Sequence, residues 1–178
     1  TFDSASSDTV DTTNWYGGSK DFTFSAFVTR TSATYGTILA RHVSTVATGV
    51  LIMILDDGKV TFDTYGKWTD GSYAYDSSTT CTINMYSSSM RLTATNPIAL
   101  NVRTHLAFVR QSQSFKFYID GTLSCMGLLV GGWEDAASIV NPDNLVLGAH
   151  YISSGTSATQ TVFQGKIEEA RMYDQALS

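Results

Sequence analysis

The residues best suited to hold a ligand lie between positions 63 and 76. Tyr65, Trp68, Tyr73 and Tyr75 stand there among Asp63, Lys67, Asp70 and Asp76, with Gly66 and Gly71 to bend the backbone. An aromatic ring stacks on the apolar face of a sugar while adjacent polar groups meet its hydroxyls, so the cluster is suited to carbohydrate recognition. A buried strand would not carry so many ionisable groups, because each would need a partner. The competing account has the tyrosines lining an ordinary sheet face and Trp68 plugging a loop. Trp133, followed by Glu134 and Asp135, is a second candidate for a ligand platform.

Three further groupings could do chemistry. Asp3, Asp8 and Asp11 gather hard oxygens near the N-terminus; calcium takes about six to eight of these, some of them backbone carbonyls. The alternative makes them turn residues and surface charges. Cys81 and Cys125 have no Cys or His neighbour at metal-ligand spacing, and are read as one disulfide between neighbouring strands, against two free thiols. Glu168 and Glu169 are adjacent in a strand-like run. A glycosidase needs two carboxylates roughly 5 to 9.5 Å apart across one bond, and adjacent strand residues point to opposite faces. No serine nucleophile elbow, phosphate loop or zinc-binding histidine pair occurs. His42, His105 and His150 are far apart in sequence and read as surface or strand-packed imidazoles. No catalytic residue is assigned, and the chain is expected not to be an enzyme.

The elements that must position these residues are strands. Phe22, Phe24, Ala26 and Val28 alternate with Thr23, Ser25, Phe27 and Thr29, which is the period of a strand with one face inward. Phe27 then faces outward and needs cover. Gly36 to Val43 reads as the next strand. Gly49 to Leu55 and Val60 to Tyr65 flank Asp56-Asp57-Gly58-Lys59 as a hairpin, since an Asp-Gly pair tolerates the positive φ of a tight turn. Between Gly66 and Ala99 only Thr80 to Met85 and Met90 to Thr95 suggest strands. Val102 to Arg110, Phe115 to Ile119 and Thr122 to Met126 form three sequential antiparallel strands, the last two joined at Asp120-Gly121. Leu145 to Leu147 follows the long connection Gly127 to Pro142, and a polar stretch, Ser153 to Gln160, precedes the last strand, Gly165 to Tyr173. Ten or more short strands without helical crossovers exclude a parallel α/β sheet, and predict one all-β domain over residues 1–178, a sandwich of two antiparallel sheets.

Composition narrows the partners. Hydrophobic residues are 43% and charged residues 15%, so Ser, Thr, Asn and Gly cover much of the surface, as on an extracellular protein. A net charge of -5, from 11 basic and 16 acidic side chains, offers no positive field for nucleic acid. The densest apolar run, Gly49 to Leu55, is far too short to span a bilayer.

Both ends of the chain, and its middle, resemble the laminin G-like, concanavalin A-like jelly-roll domains. Thr1-Phe2-Asp3-Ser4 through Asp8-Thr9-Val10 is similar to that family's first strand and turn, with Ser4 in place of a glycine. Phe22 to Val28 resembles its next core strand, with Phe27 where tryptophan is usual. Thr104 to Val109 and Phe117-Tyr118-Ile119-Asp120-Gly121 resemble its His-Val-Ala strand and Tyr-Val-Asp-Gly turn, and Phe163 to Ser178 its closing strand and terminal turn; Arg103 departs from a common tryptophan. The resemblance implies a jelly-roll sandwich serving as a carbohydrate-binding or adhesion module, often with calcium. It also implies that the first and last strands pair, which would bring Glu168 to Asp3, Asp8 and Asp11 as a structural calcium site. The expected function is a non-catalytic, lectin-like module that binds a glycan, within a larger secreted or cell-surface protein. A protein-binding adhesion module is the alternative, and a polysaccharide-cleaving enzyme a third reading.

Overall fold

A computed structural model describes residues 9–10, 21–43, 48–65, 81–86, 89–112, 114–128, 145–154 and 157–178. They form β1 (Thr9–Val10), β2 (Phe22–Arg30), β3 (Gly36–Val43), β4 (Thr48–Ile54), β5 (Val60–Tyr65), β6 (Thr82–Tyr86), β7 (Ser89–Thr93), β8 (Thr104–Gln111), β9 (Ser114–Ile119), β10 (Thr122–Leu128), β11 (Leu145–Leu147), β12 (Ala149–Ser154), β13 (Ser157–Val162) and β14 (Gly165–Tyr173), with no helix among the described residues. A seven-stranded sheet has the order β1-β11-β3-β4-β5-β7-β6, a five-stranded sheet the order β10-β9-β8-β2-β14, and β12-β13 is a separate hairpin. The fold is the expected two-sheet antiparallel jelly-roll sandwich.

The period-two pattern builds the core. Phe22, Phe24, Ala26 and Val28 of β2 are buried, as are Leu106 and Phe108 of β8 and Phe115 and Phe117 of β9; the other sheet answers with Val50, Ile52 and Ile54 of β4 and Val60 and Phe62 of β5. At the centre Phe62 stacks on Phe108 across the two sheets, with ring centroids 3.6 Å apart, and Phe22 and Phe115 flank Phe108 at 5.7 and 5.9 Å. Thr23 breaks the alternation: it faces outward yet is buried, because the C-terminal segment folds over it. Its hydroxyl donates to the Gln175 carbonyl and accepts from the Leu177 amide, both at 2.9 Å.

The turns follow their chemistry. Asp120 and Gly121, with φ of 49° and 75°, make the two-residue loop between Ile119 and Thr122, the positive-φ geometry that fits strand twist. The Asp120 carboxylate accepts from the His105 amide at 2.8 Å. Gly58, φ 88°, closes the β4–β5 hairpin, and a Cβ there would collide with the guanidinium of Arg30. That guanidinium is buried and donates to the Asp56 carbonyl at 3.2 Å.

Three expectations change. Cys81 and Cys125 do form a disulfide, but not between neighbouring strands of one sheet: Cys81 precedes β6 at the edge of the seven-stranded sheet, and Cys125 lies on β10 at the edge of the other. The stretch expected as a polar connection, Ser153 to Gln160, is largely strand, paired from Ala149↔Val162 to Ser154↔Ser157. Among the described residues the first and last strands do not pair; β1 pairs with β11, while β14 pairs with β2 in the opposite sheet.

Candidate functional site

Strand alternation gives the seven-stranded sheet a second face, away from the core. On β5, Val60 and Phe62 enter the core, so Thr61 and Asp63 take the other side. Register aligns Ala40, Leu51, Asp63, Arg91 and Asn84 in one row across β3-β4-β5-β7-β6, and Thr37, Met53, Thr61, Thr93 and Thr82 in the next. The face has two zones. Ala40, Leu51 and Met53 form a small buried apolar cluster with Val146 against it, whereas Thr82 and Asn84 are exposed and Arg91 and Thr93 half-buried.

The boundary between the zones is an ion pair. Arg91 donates from Nε to Asp63 Oδ1 at 2.7 Å and from Nη2 to Oδ2 at 2.6 Å, the planar fork matching the carboxylate. The Asp63 side chain is 3% exposed and that of Arg91 30%. Thr61 sits one row along the same face, its Oγ1 buried without a hydrogen-bond partner among the described residues.

Tyr35, in the connection between β2 and β3, completes the arrangement. Its hydroxyl donates to the sulfur of Met53, which brings the side chain onto this face, and 37% of the residue stays exposed. Burial raises the pKa of the phenol, with Arg91 lowering it and Asp63 raising it, so the hydroxyl stands within range of both charges. An exposed ring anchored at its tip, a clamped guanidinium and a ledge of threonine and asparagine side chains therefore share one sheet face. Such a face can stack against an apolar surface and hydrogen-bond hydroxyls around it.

Of the expected ligand residues, Tyr65 ends β5 at a register position between Gly49 and Ser89, in the row beyond Asp63 and Arg91. Trp68, Tyr73, Tyr75 and Trp133 lie outside the described residues. Asp63, expected beside them as a surface charge, is instead buried and engaged by Arg91. Sequence reasoning missed Tyr35, Arg91 and Asn84. Tyr35 carried one usable signal, an aromatic closing the polar run Thr31-Ser32-Ala33-Thr34 before Gly36; Arg91 meets Asp63 only through a register that no local pattern announces.

The outward face of the five-stranded sheet carries the remaining candidates. Phe27 is covered as expected, but by a cation: the guanidinium of Arg103 lies 3.5 Å from its ring centroid, so Arg103 caps the ring where the family commonly has tryptophan. His105 packs against Phe27 at 4.9 Å, and its Nε2 lies 2.9 Å from Ser25 Oγ; it is a strand-packed imidazole. His150 is buried, which lowers its pKa. Glu168 and Glu169 do not point apart. A bulge between Glu168 and Arg171, with Glu169 at φ 51°, lets both carboxylates reach Arg103, at 3.4 and 2.9 Å. Both are thus committed to a cation in the open. Asp3, Asp8 and Asp11 lie outside the described residues, and the Glu168 carboxylate lies 3.4 Å from Arg103. Among the described residues no group of His, Cys, Asp and Glu could hold a metal.

The chain matches the family described as the concanavalin A-like lectin/glucanases superfamily over residues 3–178. No curated protein sequence matches it. Solved structures share the fold at low identity. The CBM40 of the Ruminococcus gnavus IT-sialidase, solved bound to α2,3-sialyllactose, is 18% identical with a TM-score of 0.62 over 90% of this chain and 79% of its own. A heptameric SAP-like pentraxin from Limulus polyphemus is 14% identical with a TM-score of 0.56, over 90% and 67%. Domains LG4-5 of the mouse laminin α1 chain are 18% identical with a TM-score of 0.54, over 92% and 38%.

Proposed function

The chain belongs to the concanavalin A-like lectin/glucanases superfamily, and we propose that it acts as a non-catalytic carbohydrate-binding module through the Tyr35 face of its seven-stranded sheet. The observation that carries this reading is the exposed Tyr35 ring on the same face as the Asp63–Arg91 pair and the polar ledge of Thr82, Asn84 and Thr93. The ring would stack on the apolar face of a pyranose, and the ledge would exchange hydrogen bonds with its hydroxyls, which both donate and accept as threonine does. Tyr65 joins this face by register. Trp68, Tyr73 and Tyr75 belong to the connection that leaves it, and with Trp133 they complete the proposed ligand surface. A carbohydrate-binding module of this fold, that of Ruminococcus gnavus, supports the reading by analogy of architecture.

The disulfide supports an oxidising, extracellular location, and the proposed setting is a larger secreted or surface protein. A protein-binding role is the second reading, favoured by one observation: the Arg103–Phe27–His105 stack on the five-stranded sheet joins a cation and aromatic surface of the kind enriched at protein interfaces. A glycan array separates the two, followed by Tyr35→Ala and Trp68→Ala on the best glycan. Each substitution is expected to weaken binding at least about tenfold, since binding energy concentrates in a few aromatics. Loss of folding stability by about 3 to 5 kcal/mol in Trp68→Ala with unchanged affinity would instead make Trp68 a core plug, and release of cleaved sugar would overturn the non-catalytic assignment.

A further inference from the structure

Resting on the carbohydrate-binding reading, we infer that the Tyr35 face takes an uncharged glycan, and that Asp63 is what sets this specificity against acidic sugars. Arg91 is the only cationic side chain among the described residues that register and burial place on this face. Lys59 is held by Asp57 in the hairpin turn. Arg103, Lys116, Lys166 and Arg171 belong to the opposite sheet or its approach.

The one cation so placed among the described residues is already neutralised. Asp63 meets Arg91 through two parallel bonds, at 2.7 and 2.6 Å, and its carboxylate is 3% exposed. A sialic acid, uronic acid or sulfate approaching Arg91 would feel the guanidinium and the buried carboxylate behind it together. The two fields largely cancel, because the buried carboxylate is only weakly screened by solvent. A net charge of -5 over the whole chain adds to the repulsion. What the face still offers is neutral hydrogen-bonding chemistry: the hydroxyls of Thr82 and Thr93 and the amide of Asn84, beside the Tyr35 ring. Those groups match sugar hydroxyls, and none requires an anion. Asp63 is in this sense a positioning residue: it holds Arg91 in one orientation and removes its charge from recognition.

The test is an array of neutral, sialylated, uronic and sulfated oligosaccharides against the full chain, followed by titration of the binders from about 0.1 to 1 M salt, over which the Debye length falls from about 10 to 3 Å. The expected result is binding to neutral glycans with an affinity that salt leaves unchanged. Binding confined to acidic glycans, weakened by salt, would overturn this inference while leaving the carbohydrate reading intact; binding to no glycan would overturn both. Asp63→Asn keeps the side-chain shape and removes the negative charge beside Arg91, so retention on 3′-sialyllactose or heparin oligosaccharides should rise about tenfold, the equivalent of about 1.4 kcal/mol. An Asp63→Asn protein that melts like the parent and gains no affinity for either acidic probe would contradict the role given to Asp63. Should that variant fail to fold, the parent protein's array and salt series still decide.

Discussion

Removing the Cys81–Cys125 bridge perturbs the sandwich at one defined place. The bridge ties the outermost described strand of each sheet on that side, with Cys125 fully buried in the core and Cys81 packed against it. Its two ends are 44 positions apart. On the chain-entropy account a closed loop of that length lowers the entropy of the unfolded chain by about 13 cal/mol/K, or about 4 kcal/mol at room temperature. In a domain of this size each kcal/mol moves the melting temperature by about 2 to 4 °C, so the expected loss is about 8 to 16 °C. Differential scanning calorimetry with and without reductant, and on Cys81→Ala/Cys125→Ala, measures it. A fall below about 2 °C in both would refute the assignment of the bridge as a stabilising tie between sheet edges.

Other consequences follow from packing and charge. Phe108→Ala empties the stack between Phe22, Phe62 and Phe115 and should cost about 3 to 5 kcal/mol in chemical denaturation. His150 has its pKa lowered from 6.5 by burial, so the unfolded chain takes up its proton more readily than the folded one. Its contribution to stability is whole above about pH 6.5 and declines as pH falls from there toward the folded value; melting across pH 5 to 8 should show the decline, and His150→Gln should flatten it. Calcium at Asp3, Asp8, Asp11 and Glu168 would raise the melting temperature by mass action, and calorimetric titration of chelator-treated protein with no heat at millimolar calcium would dismiss it.

The parts of the fold that sequence announced are those where side-chain period and turn chemistry agree. Gly36–Val43, Val60–Tyr65, Leu145–Leu147 and Gly165–Tyr173 carry their observed bounds in their patterning, because apolar alternation and flanking glycines fix them locally. β12 and β13 were hidden: from Ser153 to Thr161 the stretch is dominated by serine, threonine and glutamine with no apolar alternation, so it looks like a loop. The bulge at Glu169 was hidden for a different reason. A positive φ at a glutamate defies local preference, and here tertiary pairing with Arg103 accompanies it. The candidate site was half legible. Tyr65 and Asp63 stood out by type, but the burial of Asp63 depends on Arg91, 28 positions away, and Tyr35 gained its place only when the β2–β3 connection reached Met53.

The central claim concerns where a glycan sits, and backbone and methyl NMR of the labelled chain titrated with an array-selected neutral oligosaccharide tests it most directly. The account predicts saturable shifts at Tyr35, Thr82, Asn84, Arg91 and Thr93, lost in Tyr35→Ala while the resonances of the core Phe108 and Phe115 stay in place. Shifts centred on Phe27, Arg103 and His105 instead, or none at any of these positions at millimolar sugar, would contradict it.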